Sequence, residues 1–162
     1  MPGKIIGLED GTKQWRDKKL AIHREGDLPA MELPDGSEHW CLNGDFHREG
    51  GPARVWPSGT MEWYKNGLLH REDGPAIEYA DGTKAWAIDG SLHREGGPAI
   101  EYADGSKEYW ICGVQYQEDQ KTVIQSSELS RYEIRIGDGR LKLPSGHAMA
   151  VLNCQMAPTQ QP

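Results

Sequence analysis

Phenylalanine is nearly missing from this chain. Of 162 residues one is Phe, Phe46, against six Trp and six Tyr. A core built on Phe is therefore excluded, and aromatic packing falls to rings that carry polar atoms needing partners. Cysteine is equally scarce: Cys41, Cys112 and Cys154 are odd in number, widely spaced and form no CxxC pair. That pattern excludes a zinc signature and argues against a disulfide framework, so free thiols are expected. No run approaches the roughly 18 apolar residues of a membrane span. The start, MPGKIIGLEDG, lacks the apolar stretch of a signal peptide. A soluble, cytoplasmic protein is expected.

Positive charge is the third shortage. Up to Asp119 there are 13 Lys/Arg against 22 Asp/Glu, and from Gln120 onward 5 against 3, for a net charge of −7. An acidic body opposes a phosphate-backbone grip, which needs a basic stripe, and a polybasic hold on anionic lipid. Neither nucleic acid nor membrane is an expected partner. A basic protein surface is the natural complement.

What the chain has in excess is punctuation: 20 Gly and 10 Pro, which disfavour helix interiors and favour turns. They recur with a period. The triplet His-Arg-Glu stands at His23, His47, His70 and His93, at spacings of 24, 23 and 23. Asp-Gly or Ser-Gly recurs at Asp10, Asp35, Ser58, Asp81 and Asp104, each followed by an aromatic at Trp15, Trp40, Trp63, Trp86 and Tyr109. Gly-Pro recurs at Gly51, Gly74 and Gly97. A period of this length signals a stacked repeat architecture with degenerate end units.

Each unit reads as a hairpin. Short β-competent runs flank Asp81-Gly82, and Asp89-Gly90 turns the chain again; Asn43-Gly44 and Asn66-Gly67 do the same. Such dipeptides suit two-residue type I′ turns. That register places Tyr79 opposite Lys84, Ile77 opposite Trp86 and Trp86 opposite His93, and likewise pairs Trp63 with His70 and Trp40 with His47. Alternation then gathers Ile77, Tyr79, Lys84, Trp86 and Ile88 on one bulky face, with Ala76, Glu78, Ala80, Ala85 and Ala87 on a small, polar one.

Tyr-Ala-Asp-Gly-Thr/Ser, an aromatic and then a second Gly turn, at period 23, resembles the MORN repeat (membrane occupation and recognition nexus). The nearest form is the divergent bacterial and phage variant that reads HREDGPA-x-x-YADGT. Tyr79 to Thr83 and Tyr102 to Ser106 carry the likeness best. The resemblance implies an elongated sheet of consecutive hairpins used for protein association. The acidic body does not suit the family's lipid binding.

After Glu118 the style changes. Gln120 to Arg131 reads as a linker or short helix. Tyr132 to Ile136 and Arg140 to Leu143 alternate on either side of Gly137-Asp138-Gly139, a hairpin. His147 to Cys154 reads as a further strand and Ala157 to Pro162 as a frayed tail.

Chemistry is sparsely signalled. Equivalent histidines of successive hairpins stand two strands apart, about 9.6 Å, too far to share one metal ion. The triplet is read as structural, with His against a cross-strand Trp and Arg bridging carboxylates such as Glu78. Ser145-Gly146-His147 lacks an elbow motif, and Gly137-Asp138-Gly139 is no phosphate cradle.

The expected architecture is thus all-β, an elongated single-layer antiparallel sheet of tandem hairpins of about 23 residues. The array spans 1–119, and 120–162 form a small β-rich appendage. The expected function is non-enzymatic protein binding, without cofactor or metal, for instance as a phage or bacterial counter-defence inhibitor that blocks a host protein. Trp56, Trp63, Tyr79, Trp86, Tyr102, Tyr109 and Glu78 are the expected contact residues. The competing readings are a self-assembling scaffold, with the C-terminal segment joining copies, and a hydrolase or nucleotide-binding protein using the His-Arg-Glu column.

Overall fold

The computed structural model describes residues 4–116 together with 133–134 and 141–142. Among the described residues there is no helix. The chain divides into two compact units after Gly90, inside the repeat array.

The first unit holds β1 (Lys4–Gly7), β2 (Lys13–Arg16), β3 (Met31–Glu32), β4 (Glu38–His39), β5 (Cys41–Leu42), β6 (Asp45–Phe46), β7 (Arg54–Val55), β8 (Met61–Glu62), β9 (Tyr64–Lys65), β10 (Leu68–Leu69), β11 (Ile77–Glu78), β12 (Lys84–Ala85) and β13 (Ala87–Ile88). Its sheet runs β1-β2-β3-β4-β7-β8-β11-β12, while β5-β6 and β9-β10 form separate two-stranded ribbons. Each repeat thus places two strands in the sheet, breaks at its Trp, and closes in a small ribbon. Every pairing in this sheet is antiparallel.

The registers define two faces, because directly paired residues project to the same side. Gln14, Met31, His39, Arg54, Glu62, Ile77 and Ala85 follow one another across the strands on the first face. Lys13, Glu32, Glu38, Val55, Met61, Glu78 and Lys84 form the corresponding row on the second. Phe46, from the β5-β6 ribbon, reaches the first face edge-on to His39 at 5.5 Å and packs 5.3 Å from Tyr64. The scarce Phe is thus spent where one ribbon meets the next.

The two turns of a repeat differ. Asn43-Gly44, Asn66-Gly67 and Asp89-Gly90 have both residues at positive φ, the expected type I′ geometry. At Asp81-Gly82 only Gly82 does, at φ 92°. There the Tyr79 N–H donates to the Thr83 carbonyl at 2.9 Å, and the Gly82 N–H to the Tyr79 carbonyl at 3.0 Å. This is a three-residue loop, a type I turn closed by a left-handed glycine, and Asp10, Asp35 and Ser58 head the same turn. The extra loop residue corrects the expected register: Ile77 pairs with Ala85 and not Trp86, and Glu78 with Lys84. Since a one-residue slip inverts the faces, the expected single aromatic face does not form. Ile77, Ala85 and Ala87 are buried, while Lys84 is exposed.

Alanine supplies the most deeply buried apolar positions, beside Trp40, Cys41 and Ile77. Ala30, Ala53 and Ala76, each following a proline, are fully buried at 0% exposure. The Ala53 and Ala76 carbonyls accept the N–H groups of Trp40 and Trp63 at 2.8 Å. Of the alanines expected on a polar face, Ala76, Ala85 and Ala87 are interior, while Ala80 is exposed.

The first repeat carries its extra residue as a three-residue loop ending at Leu20, at φ 67°. The His23 N–H still donates to the Trp15 carbonyl at 2.9 Å.

The second unit holds β14 (Ser91–Leu92), β15 (Ile100–Glu101), β16 (Lys107–Ile111), β17 (Val114–Tyr116), β18 (Glu133–Ile134) and β19 (Leu141–Lys142). β15 pairs with β16 and β16 with β17, around a two-residue turn at Cys112-Gly113 that takes the place of Asn-Gly. Cys112 is disulfide-bonded, against the expectation of free thiols, whereas Cys41 is free and buried. β18 and β19 pair antiparallel, Glu133 with Lys142 and Ile134 with Leu141, as the alternation around Gly137-Asp138-Gly139 predicts. The expected linker at 120–131, the turn at 137–139, the strand at 147–154 and the tail at 157–162 lie outside the described residues.

Candidate functional site

The His-Arg-Glu triplet leaves each ribbon and immediately meets the next repeat. As expected, His47 and His70 pair with Trp40 and Trp63: their N–H groups donate to those carbonyls at 3.0 Å. The side chains correct the expectation. The ring Nδ1 of His23 accepts the Asn43 N–H, and that of His47 the Asn66 N–H, both at 3.1 Å. His70 Nδ1 lies 3.3 Å from the Asp89 N–H and 2.8 Å from the Asp89 carboxylate. In the second unit His93 Nδ1 accepts the Cys112 N–H at 3.2 Å. Each His caps the tight turn of the following repeat.

Arginine supplies the cation–π contacts described on the Trp rings. Arg24, Arg48 and Arg71 place their guanidinium carbons 3.9, 3.8 and 4.1 Å from the centroids of Trp15, Trp40 and Trp63. The same guanidinium tethers the Gly-Pro loop: Arg48 and Arg71 donate to the Pro52 and Pro75 carbonyls at 3.2 Å. Arg71 also bonds Glu78 at 3.1 Å, the expected bridge, and Arg94 bonds Glu101 at 2.7 Å in the second unit.

The third member of the triplet points outward. The side chain of Glu49 is 95% exposed, while that of Arg48 is 19% exposed. Glu25 and Glu72 are exposed likewise. Asp27 and Asp73 also face solvent, with their carboxyls held below the usual range chiefly by hydrogen bonds from Arg48 and Arg71.

Two grooves run between successive triplets. One, of about 370 Å³, is lined by Arg24, Glu25, Trp40 and Cys41 together with His47, Arg48 and Glu49. The other, of about 390 Å³, shares those last three and adds Trp63, Lys65, His70 and Arg71. Cys41 offers no nucleophile there: burial, aided by Asp45, raises its thiol to about 11. Among the described residues no group of three or more His, Cys, Asp and Glu side chains could hold a metal ion, and no helix is long and apolar enough to cross a membrane.

The expected contact residues separate. Trp56 lies on the first face, beneath the Arg54 guanidinium and edge-on to His39. Tyr79 follows Ile77 on that face and is 43% exposed. Trp63 and Glu78 meet instead on the second face, joined through Arg71. Trp86 is half-buried. In the second unit Tyr102 is exposed and donates its hydroxyl hydrogen to Glu108 at 2.9 Å, whereas Tyr109 is buried.

One residue escaped sequence reasoning altogether. His39 is buried at 6% exposure, and neither ring nitrogen has a hydrogen-bond partner. Burial, with the neighbouring Arg54 charge, lowers its pKa to about 4, so it stands neutral among Phe46, Trp56 and Arg54. It lies outside every repeated motif, which is why no pattern marked it. No family model matches the chain, and neither a curated protein nor a solved structure matches it.

Proposed function

We propose that this chain is a non-enzymatic protein-binding module, a MORN-like repeat protein, whose partner presents a basic surface. One observation carries the reading. The triplet arginines fold inward onto Trp rings, while Glu49 and Glu72 stay in solvent. The net charge of −7 is thereby displayed with part of its positive share withdrawn. Such a surface steers a basic protein and repels phosphate. The engagement of each triplet His Nδ1 by the turn of the following repeat, a backbone N–H at His23, His47 and His93 and Asp89 itself at His70, supports a structural role for the column in place of a hydrolytic or nucleotide-binding one. A module of this kind acts by covering its partner, as a phage or bacterial inhibitor of a host protein would. Exposed Tyr79 and, in the other unit, Tyr102 supply anchors of the type that dominates interfaces.

Capture from bacterial lysate on the immobilised full chain tests this. A basic protein should be retained at low salt and released as ionic strength rises. Tyr79→Ala with Tyr102→Ala should weaken it about tenfold or more while the fold persists. Retention indifferent to salt and to both substitutions would remove the reading.

Self-assembly has one observation in its favour. β1 ends the strand order of the first unit, and its Ile5 is exposed, an edge open to pairing. Light scattering on the full chain and on a chain lacking 120–162 decides between edge pairing and joining through the C-terminal segment.

A further inference from the structure

We propose that Cys112 and His93 form a thiol–disulfide exchange site whose co-reactant is a small disulfide or thiol of the glutathione class. Cys112 makes and breaks the disulfide, and His93 Nδ1 carries the proton. The site lies in the second unit and does not depend on the protein-binding reading.

Its place in the repeat singles Cys112 out. The first position of the closing turn is Asn43, Asn66 and Asp89 in the preceding repeats, residue types that tolerate the left-handed region, whereas here Cys112 holds it at φ 49°. The turn fixes the sulfur. The Gly113 N–H donates to the Leu92 carbonyl at 2.9 Å, and the Cys112 N–H to His93 Nδ1 at 3.2 Å. Accepting that bond makes Nδ1 the unprotonated nitrogen, with the hydrogen of the neutral ring on Nε2. Cys112 Sγ lies 3.2 Å from the same Nδ1, within reach of direct proton transfer. Burial holds the His93 pKa below its ordinary value, against the opposing pull of the Glu95 carboxylate, so the ring is a free base at neutral pH.

Cys112 stands in its oxidised form. Of the three cysteines Cys41 is free, so the second sulfur within the chain is that of Cys154. In the reduced chain Cys112 and Cys41 are too buried to meet an external disulfide, at 5% and 4% exposure, which leaves Cys154 to react first. A small disulfide RSSR exchanges with the Cys154 thiol, giving the mixed disulfide and RSH. Cys112 then passes its S–H proton to His93 Nδ1, and its thiolate attacks the Cys154 sulfur. The new S–S bond forms, RS⁻ leaves, and it takes up the proton that His93 releases. The two thiols of the chain are oxidised and RSSR is reduced to two RSH. Excess thiol drives the same steps in reverse.

The test follows the reduced full chain after addition of oxidised glutathione, with acid quenching and mass spectrometry to separate the mixed disulfide from the closed one. Where closure no longer depends on glutathione concentration, its rate should stay nearly level from about pH 8 down to about pH 6.5. His93→Asn keeps an oxygen acceptor for the Cys112 N–H but supplies no base. It should slow closure about tenfold or more at pH 7 and make the rate fall about tenfold per pH unit. His93→Ala should do the same, while His70→Ala, which removes the neighbouring cap, should leave closure unchanged. Circular dichroism checks that each variant is folded. Wild-type closure in both His93 variants, a wild-type rate that falls as steeply as theirs, or equal slowing by His70→Ala overturns the proposal. So does a glutathione adduct on Cys112, or a chain that keeps all its thiols in oxidised glutathione.

Discussion

Arg71 holds its guanidinium 4.1 Å from the ring centroid of Trp63 and, from the same fork, bonds the Pro75 carbonyl at 3.2 Å and Glu78 at 3.1 Å. Gly74 makes room for it: a Cβ there would stand 2.8 Å from the guanidinium carbon. One side chain therefore ties together the strand break, the Gly-Pro loop and the next strand. Arg71→Ala should cost about 2 kcal/mol, from a partly desolvated stack and a carbonyl that loses its donor. Arg71→Lys should recover little, because an ammonium cannot stack and fork at once. Urea midpoints of the three chains measure this. Full rescue by Lys would show that charge alone matters.

The repeat and its closing turns were legible because period 23 and Asn/Asp-Gly dipeptides are local signals. The Trp63–His70 pairing followed directly from that two-residue turn. The faces were not legible, because Asp81-Gly82 looks like Asp89-Gly90 while closing a loop one residue longer. The distinguishing sign is the next residue: Thr83, Ser37, Thr12 and Ser106 give their N–H to the turn Asp at 2.8 Å, which keeps that Asp out of the left-handed region. The buried alanines were missed because alanine is too weak a hydrophobe to mark an interior position by itself. The Trp–Arg stack recurs eight or nine residues apart, yet it was missed because each Arg lies beyond the ribbon, outside any strand alternation.

Gly82 sits at φ 92° with nothing within 4 Å of where a Cβ would lie. Gly82→Ala therefore meets no steric neighbour and isolates the backbone penalty, about 1–2 kcal/mol. Asp81→Ala, which removes the acceptor of the Thr83 N–H, should cost about 1 kcal/mol. Thermal unfolding reads both. A neutral Gly82→Ala would mean the turn relaxes out of the left-handed region.

His47 accepts the Asn66 N–H at 3.1 Å across the boundary between two repeats. His47→Ala should cost about 1 kcal/mol, but its sharper signature is local. The Asn66 amide should lose hydrogen-exchange protection, while the Asn43 amide, capped by His23, keeps it. Uniform loss at both amides would show that the repeats open together and that the caps are not separable.

His39 makes stability depend on pH in a window of its own. Its pKa is lowered to about 4 by burial and by Arg54, whereas in the unfolded chain it titrates near 6.5. Between those values the unfolded state binds a proton that the folded state refuses, so stability rises with pH. The contribution is full above about pH 6.5, falls as pH drops, and is exhausted near pH 4. The span is worth on the order of 3 kcal/mol. His93, lowered chiefly by burial, acts in the same direction in the second unit. Below that window the exposed Asp27 and Asp73, held down by Arg48 and Arg71, extend the loss. His39→Leu removes both unpartnered nitrogens and keeps an apolar side chain against Phe46. It should leave stability at pH 7 unchanged or raised, and should flatten the decline between pH 6.5 and 4 by one proton's worth. Urea titrations at pH 7, 5.5 and 4.5 measure this, and an undiminished slope in the Leu variant would place the acid sensitivity elsewhere.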